Sequence, residues 1–192
     1  MKKFLKALGW IVGVPLMLVL ILAGGVELYV RTQGNFHVVE EGVLYRSAQL
    51  RDYQLKKRIE EHHIASIINL RGPMSHDPRY VDEVALAQEH NITHIDMPLS
   101  AYAYYDVNAS MKLLELMRNA PKPLLIHCEG GADRSALADA LWRYTQMHES
   151  KTQAQEASYR WEWGYLPYGK WEAKENMRKS FLDYAQALKN DE

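Results

Sequence analysis

The run Leu124-Leu125-Ile126-His127 leads straight into Cys128, then Glu129-Gly130-Gly131-Ala132-Asp133, then Arg134 and Ser135. A short apolar run of this kind reads as a buried strand. The residues from about Arg134 to His148 read as a helix. The chain therefore passes from a buried strand, through a loop with two glycines, into a helix N-terminus. Glycine allows the backbone angles such a loop needs. Successive N–H groups in a tight loop can converge into an anion-binding nest. The unpaired N–H groups and dipole of the helix that follows favour the same charge. Arg134 adds a planar fork suited to two phosphate oxygens. That electropositive cradle favours the thiolate of Cys128. A thiolate beneath a bound phosphate is placed for in-line attack on phosphorus, with water hydrolysing the cysteinyl-phosphate afterwards. Ser135 is suited to hydrogen-bond the sulfur and help it leave. The phosphate-binding set is Glu129, Gly130, Gly131, Ala132, Asp133, Arg134 and Ser135.

The rest of the chain supplies partners for that strand. His37–Val39 and Val43–Arg46 read as short strands around Glu40-Glu41-Gly42. Leu50–His63 reads as a helix with Leu55 and Ile59 on one face. Ile64–Leu70 and Ile92–Leu99 read as strands. Asp77-Pro78 opens a helix between them, Asp as N-cap and Pro at the first helical position. Val107–Asn119 reads as a helix with Met111, Leu114 and Met117 inward. Thr152–Trp161 and Trp171–Leu188 add two more helical stretches. Strands alternating with helices predict an α/β fold, a central mainly parallel sheet flanked by helices. This domain is expected over 37–192, behind a short linker at 31–36.

The first thirty residues are a separate object. Lys2, Lys3 and Lys6 precede an uncharged run of 20 residues, Ala7–Val26. About 20 apolar residues span a bilayer core as a helix. Trp10 and Tyr29 stand near its ends, as interfacial aromatics do. A cleaved signal peptide is the competing reading, with Ala23-Gly24-Gly25 as a small-residue site. The anchor is the favoured expectation, because the run is longer than a usual signal core. The flanking lysines predict a cytoplasmic N-terminus, a single-pass inner-membrane protein and a catalytic domain on the periplasmic or outer side.

Composition excludes several classes. With 23 Lys+Arg against 24 Asp+Glu, the chain lacks the basic balance of a nucleic-acid binder. With one cysteine in 192 residues it can form neither an internal disulfide nor a multi-thiolate zinc site. No metal or other cofactor is expected, since the arginine and the nest carry the charge compensation.

From His127 to Ser135 the sequence resembles the His-Cys-x5-Arg-Ser/Thr signature of the cysteine-dependent protein phosphatases. A chance match of this kind is roughly one in 10⁵ per position. Val43-Leu44-Tyr45-Arg46-Ser47-Ala48-Gln49 is similar to a segment of the compact dual-specificity phosphatases, and so is Ile67-Ile68-Asn69-Leu70-Arg71. The resemblance covers roughly residues 37–170. It implies a phosphomonoester hydrolase acting through a cysteinyl-phosphate, on phosphorylated protein or on a membrane lipid. Cys128 would be the nucleophile and Arg134 the phosphate ligand. A membrane-tethered, catalytically dead phosphate-binding module is the alternative of a different class.

The general acid is where this chain departs from the family. The place that usually holds an aspartate is Ala101, after Met97-Pro98-Leu99-Ser100. Asp133 in the loop, Asp106 beyond the Tyr-rich segment and Asp96 on a strand remain as proton donors. Asp106 also fits an N-cap ahead of Val107. His127 reads as a buried scaffold that tunes Cys128. Arg46 reads as part of a structural turn, with reach to the loop or the substrate as the alternative. Tyr102, Tyr104 and Tyr105 read equally as cleft lining or as packing, and Tyr159, Trp161, Trp163, Tyr165 and Tyr168 as packing. Glu129 stands where phosphoinositide phosphatases often carry lysine, so like-charge repulsion disfavours highly phosphorylated inositol headgroups.

Overall fold

The computed structural model describes residues 13–18, 21, 24–25, 28, 32–160 and 171–190. It forms two compact units, Met1–Gln33 and Gly34–Glu192. In the first, residues 13–18 are helical. Among the described residues no helix is long and apolar enough to cross a membrane. Much of the uncharged run expected to be an anchor lies outside the described residues, as do residues 161–170 with most of the aromatic cluster.

The second unit is a five-stranded mixed sheet flanked by helices. Its elements are β1 His37–Glu40, β2 Leu44–Ser47, α1 Asp52–His62, β3 Ser66–Asn69, α2 Pro78–Glu89, β4 Thr93–Asp96, α3 Val107–Asn119, β5 Leu124–His127, α4 Arg134–Thr145, α5 Lys151–Ser158 and α6 Trp171–Asn190. The strand order is β1-β2-β5-β3-β4. β1 runs antiparallel to β2, and the other pairings are parallel. Strand side chains alternate between faces, and this alternation divides the core. Leu44, Ile68, Leu124 and Ile126 join the cluster that contains residues of α3, α4, α5 and α6. Tyr45, Ile67 and Leu125 join the cluster beneath α1 and α2.

Several local expectations are corrected. α1 starts at Asp52 because Gln54 Oε1 accepts from the Arg51 N–H at 3.0 Å and caps the helix there. The strands expected over Ile64–Leu70 and Ile92–Leu99 are shorter, with regular pairing between them confined to Ser66–Asn69 and Thr93–Asp96. Met111 is exposed, because α3 buries Ser110, Leu113, Leu114 and Met117, and residue 111 lies one helical step off that stripe. The 31–36 segment is more than a linker. Gly34 and Asn35 both have positive φ, and Asn35 is buried against the loop after β5.

Candidate active site

β5 is the middle strand, and its carboxyl end opens into the 128–133 loop. In open parallel sheets this end, where neighbouring strands lead away in opposite directions, is where ligands bind. Register aligns Ser47, His127 and Asn69 across β2, β5 and β3. The loop is held from one side by its carbonyl groups. The Gln49 N–H donates to Glu129 O at 3.2 Å. Asn35 Nδ2 donates to Gly130 O at 2.9 Å and to Gly131 O at 3.2 Å. Arg46 Nη2 donates to Gly131 O at 2.9 Å. In a planar trans peptide the N–H points opposite to the C=O. Holding these three carbonyls turns the N–H groups of Gly130, Gly131 and Ala132 away from the donors, as an anion nest requires.

Gly131 is required for two reasons. Its φ is +67°, and a Cβ there would stand 2.5 Å from the Ala48 nitrogen and 2.7 Å from the Ser47 carbonyl carbon. Arg46, read as part of a structural turn with reach to the loop as the alternative, is wholly buried and does reach the loop. Its Nη1 pairs with Asp139 Oδ2 at 2.6 Å and donates to Ser158 O at 3.0 Å. It braces the loop from beneath.

Cys128 is buried, and its Sγ lies 3.6 Å from Ser135 Oγ in the first turn of α4. Arg134 Nη1 donates to Leu99 O at 3.1 Å and to Leu70 O at 3.3 Å. Its Nε is buried and, among the described residues, has no hydrogen-bond partner. A donor so placed is costly unless something accepts from it, and a phosphate oxygen is a suitable acceptor.

The three candidate acids sit differently. Asp106 is exposed and caps α3, accepting from the Ala109 N–H at 2.8 Å. Asp96 accepts from Asn69 Nδ2 at 2.8 Å and from the Tyr80 hydroxyl at 2.7 Å. Asp133 is the N-cap residue of α4, yet its side chain makes no capping hydrogen bond. It lies close enough to the buried Lys174 of α6 for their charges to interact. The Tyr-rich segment is anchored on α6. The Tyr104 hydroxyl donates to Asp183 at 2.7 Å, Asn176 donates to Tyr102 O at 2.7 Å, and the Tyr105 N–H donates to Ser180 Oγ at 2.8 Å. Tyr102 and Tyr104 are exposed, and Tyr105 lies within electrostatic reach of Arg134.

Behind and beside the loop runs a polar network. Glu83 of α2, 3% exposed, accepts from Gln49 Nε2 at 2.7 Å and meets His94 Nε2 at 2.9 Å and His127 Nε2 at 3.0 Å. Burial pushes the Glu83 carboxyl up, but the two histidines outweigh it and hold it at about 2. Arg71 links Gln49 Oε1 (2.9 Å), Asp77 (2.9 Å) and Glu129 (2.6 Å). Arg79 also pairs with Asp77 and Glu129. Asp77 is held well below the usual carboxylate range by Arg79, then by Arg71, against the effect of burial. Glu129 is thus ion-paired with two arginines. The repulsion expected from a free charge at this position is offset.

Asn35, Gln49, Arg71, Asp77, Arg79, Glu83 and Lys174 were absent from the sequence-based site. The buried Glu and Gln carry no local pattern that distinguishes them from helix-face polar residues. Asn35 had one clue, the Gly-Asn pair, which suits positive φ.

Residues 23–144 match the profile of the tyrosine phosphatase family. No curated protein matches the chain. Among solved structures, TpbA of P. aeruginosa is 19% identical with a TM-score of 0.61, the match covering 81% of this chain and 91% of that one. The catalytic core of the PP-IP phosphatase Siw14 of S. cerevisiae is 21% identical with a TM-score of 0.60, covering 82% and 91%. Tk-PTP is 18% identical with a TM-score of 0.58, covering 81% and 97%. At these identities the likeness is one of fold. The family match spans most of the α/β unit, including the strand, the cysteine loop and the helix after it, and the chain is a cysteine-dependent phosphatase belonging to the tyrosine phosphatase family.

Proposed function

We propose that this phosphatase hydrolyses phosphotyrosine-type phosphomonoesters, with Cys128 as nucleophile and Arg134 as phosphate ligand. The observation that carries the reading is the convergence on one loop of Cys128 Sγ, the outward-held carbonyls of residues 129–131 and the buried Nε of Arg134, which has no hydrogen-bond partner among the described residues. The Cys128 thiolate attacks phosphorus and the leaving oxygen takes a proton. Water then cleaves the S–P bond, and Ser135 Oγ donates to the departing sulfur. Asp133 is the proposed proton donor, because it stands in the phosphate loop itself, directly before Arg134, whereas Asp106 lies exposed at the start of α3. The aryl reading is supported by Tyr102 and Tyr104, exposed on the segment beside Arg134. It is also supported by the fold shared with TpbA, which has been crystallised in complex with pTyr.

The test compares a phosphotyrosine peptide, para-nitrophenyl phosphate, a phosphoserine peptide and phosphoinositide vesicles, without added metal. The expected order places the two aryl phosphates first, with Cys128→Ser inactive on all. Asp133→Asn should slow the peptide more than the nitrophenyl ester, whose leaving group needs little protonation. Preference for the vesicles would replace the protein-phosphatase reading with a lipid one. Phosphate binding without turnover would identify a binding module.

The N-terminal segment is proposed to anchor the enzyme in the inner membrane with the catalytic unit outside. The support is the uncharged run of 20 residues behind three lysines. Membrane fractionation and protease accessibility of the full chain test it. Release by carbonate wash would favour the cleaved-signal alternative.

A further inference from the structure

The buried carboxylate of Glu83 has no part in the chemistry above, yet it contacts the residue next to the nucleophile. His127 presents both ring nitrogens to acceptors, Nε2 to Glu83 Oε1 at 3.0 Å and Nδ1 to the Cys128 carbonyl at 3.4 Å. A carboxylate and a carbonyl only accept hydrogen bonds, so both contacts form only when the ring carries two protons. His127 is 1% exposed, and water cannot substitute for either partner without entering the core. The Cys128 carbonyl belongs to the first peptide of the phosphate loop.

We infer that Glu83 is a positioning residue of the phosphatase reaction: its carboxylate holds His127 as an imidazolium, and that ring braces the Cys128 peptide and favours the neighbouring thiolate. The inference rests on the cysteine-phosphatase reading. The groups facing this unit are few. His94 of β4 shares Glu83 Oε1, Gln49 binds Oε2, and Arg71 lies beyond Gln49. Tyr80 of α2 feels the charges of Glu83 and of Asp96, the acceptor of its hydroxyl. On the nucleophile's side stand Ser135, Arg134 and Glu129. Glu83 lies at the Nε2 end of the ring and the Cys128 carbonyl at the Nδ1 end. Loss of the imidazolium charge therefore outweighs loss of the more distant carboxylate at the sulfur.

The test uses the full chain and its single cysteine, so that thiolate ultraviolet absorbance reports Cys128 alone. In Glu83→Gln the thiolate titration is expected to move up by about half a unit or more. The acidic limb of the kcat/KM profile is expected to move with it. A structural defect would lower the whole profile without moving its limb. Should Glu83→Gln fail to fold, imidazole nitrogen shifts of the wild type decide the matter. Doubly protonated His127 near neutral pH supports the inference, and a neutral ring overturns it. An unmoved thiolate titration in folded Glu83→Gln also overturns it. The thiolate titration needs no turnover, so failure of the phosphatase reading would appear separately, as a normal titration without hydrolysis.

Discussion

Arg46 Nη2 holds the carbonyl of Gly131 at 2.9 Å, while Nη1 of the same guanidinium pairs with Asp139 at 2.6 Å. One buried cation thus ties the phosphate loop to α4 and, through Ser158 O, to α5. Arg46→Met would leave Asp139, among the described residues, with only Arg143, whose Nε lies 2.7 Å from its other oxygen. Removing one partner of a buried pair costs about 3 kcal/mol or more. The expected outcome is a lower urea midpoint together with a raised KM for aryl phosphate. A change in KM without loss of stability would argue against this linkage.

Gly131→Ala tests the loop's shape directly. The added methyl meets backbone atoms at the end of β2, at 2.5 and 2.7 Å, in a residue whose φ is +67°. Neither neighbour is a flexible side chain, so the loop must shift. A displacement near 1 Å at a catalytic site costs about 10²-fold in rate. Steady-state kinetics should show a loss of that order, with near-normal circular dichroism.

Asp106→Ala separates capping from catalysis. Removing the acceptor of the Ala109 N–H should cost about 1 kcal/mol in unfolding free energy. Hydrolysis of a phosphotyrosine peptide should be unchanged once the protein is folded. A selective loss on the peptide, relative to the nitrophenyl ester, would make Asp106 the acid and displace Asp133.

Stability should fall in two stages as pH is lowered. His37 is kept neutral by burial and by the charges of Arg46 and Arg160, which lower it from 6.5 to about 4. The unfolded chain takes up that proton first, so stability declines as pH falls from about 6.5 towards 4. Glu83 is depressed from 4.5 to about 2, so its contribution is present above 4.5 and is lost as pH falls towards 2. Urea midpoints measured across this range should show both stages. His37→Gln should remove the upper stage, and Glu83→Gln should reduce the lower one, to which Asp77 also contributes.

Much of this was legible in the chain. The strand-loop-helix around Cys128, the Asp77-Pro78 helix start, and the exact bounds of Val107–Asn119 and Leu124–His127 are local patterns. Local backbone preferences and short hydrogen-bond loops set them, so neighbouring residues suffice. Met111 shows the limit: a single helical step decides exposure, and an apolar residue beside the buried stripe reads like one within it.

The amino-acid sequence by itself determined the chemistry of the loop and the alternation that builds a sheet covered on both faces. Only the tertiary structure decided what holds that loop. Asn35 reaches Gly130 across 95 positions, Arg46 reaches Asp139 across 93, and Glu83 reaches His127 across 44. The same burial that makes an unpaired polar group costly makes each of these pairings strong. Which partner satisfies a buried Glu or Arg depends on where strands and helices meet, and that geometry exists only once the sheet order is set.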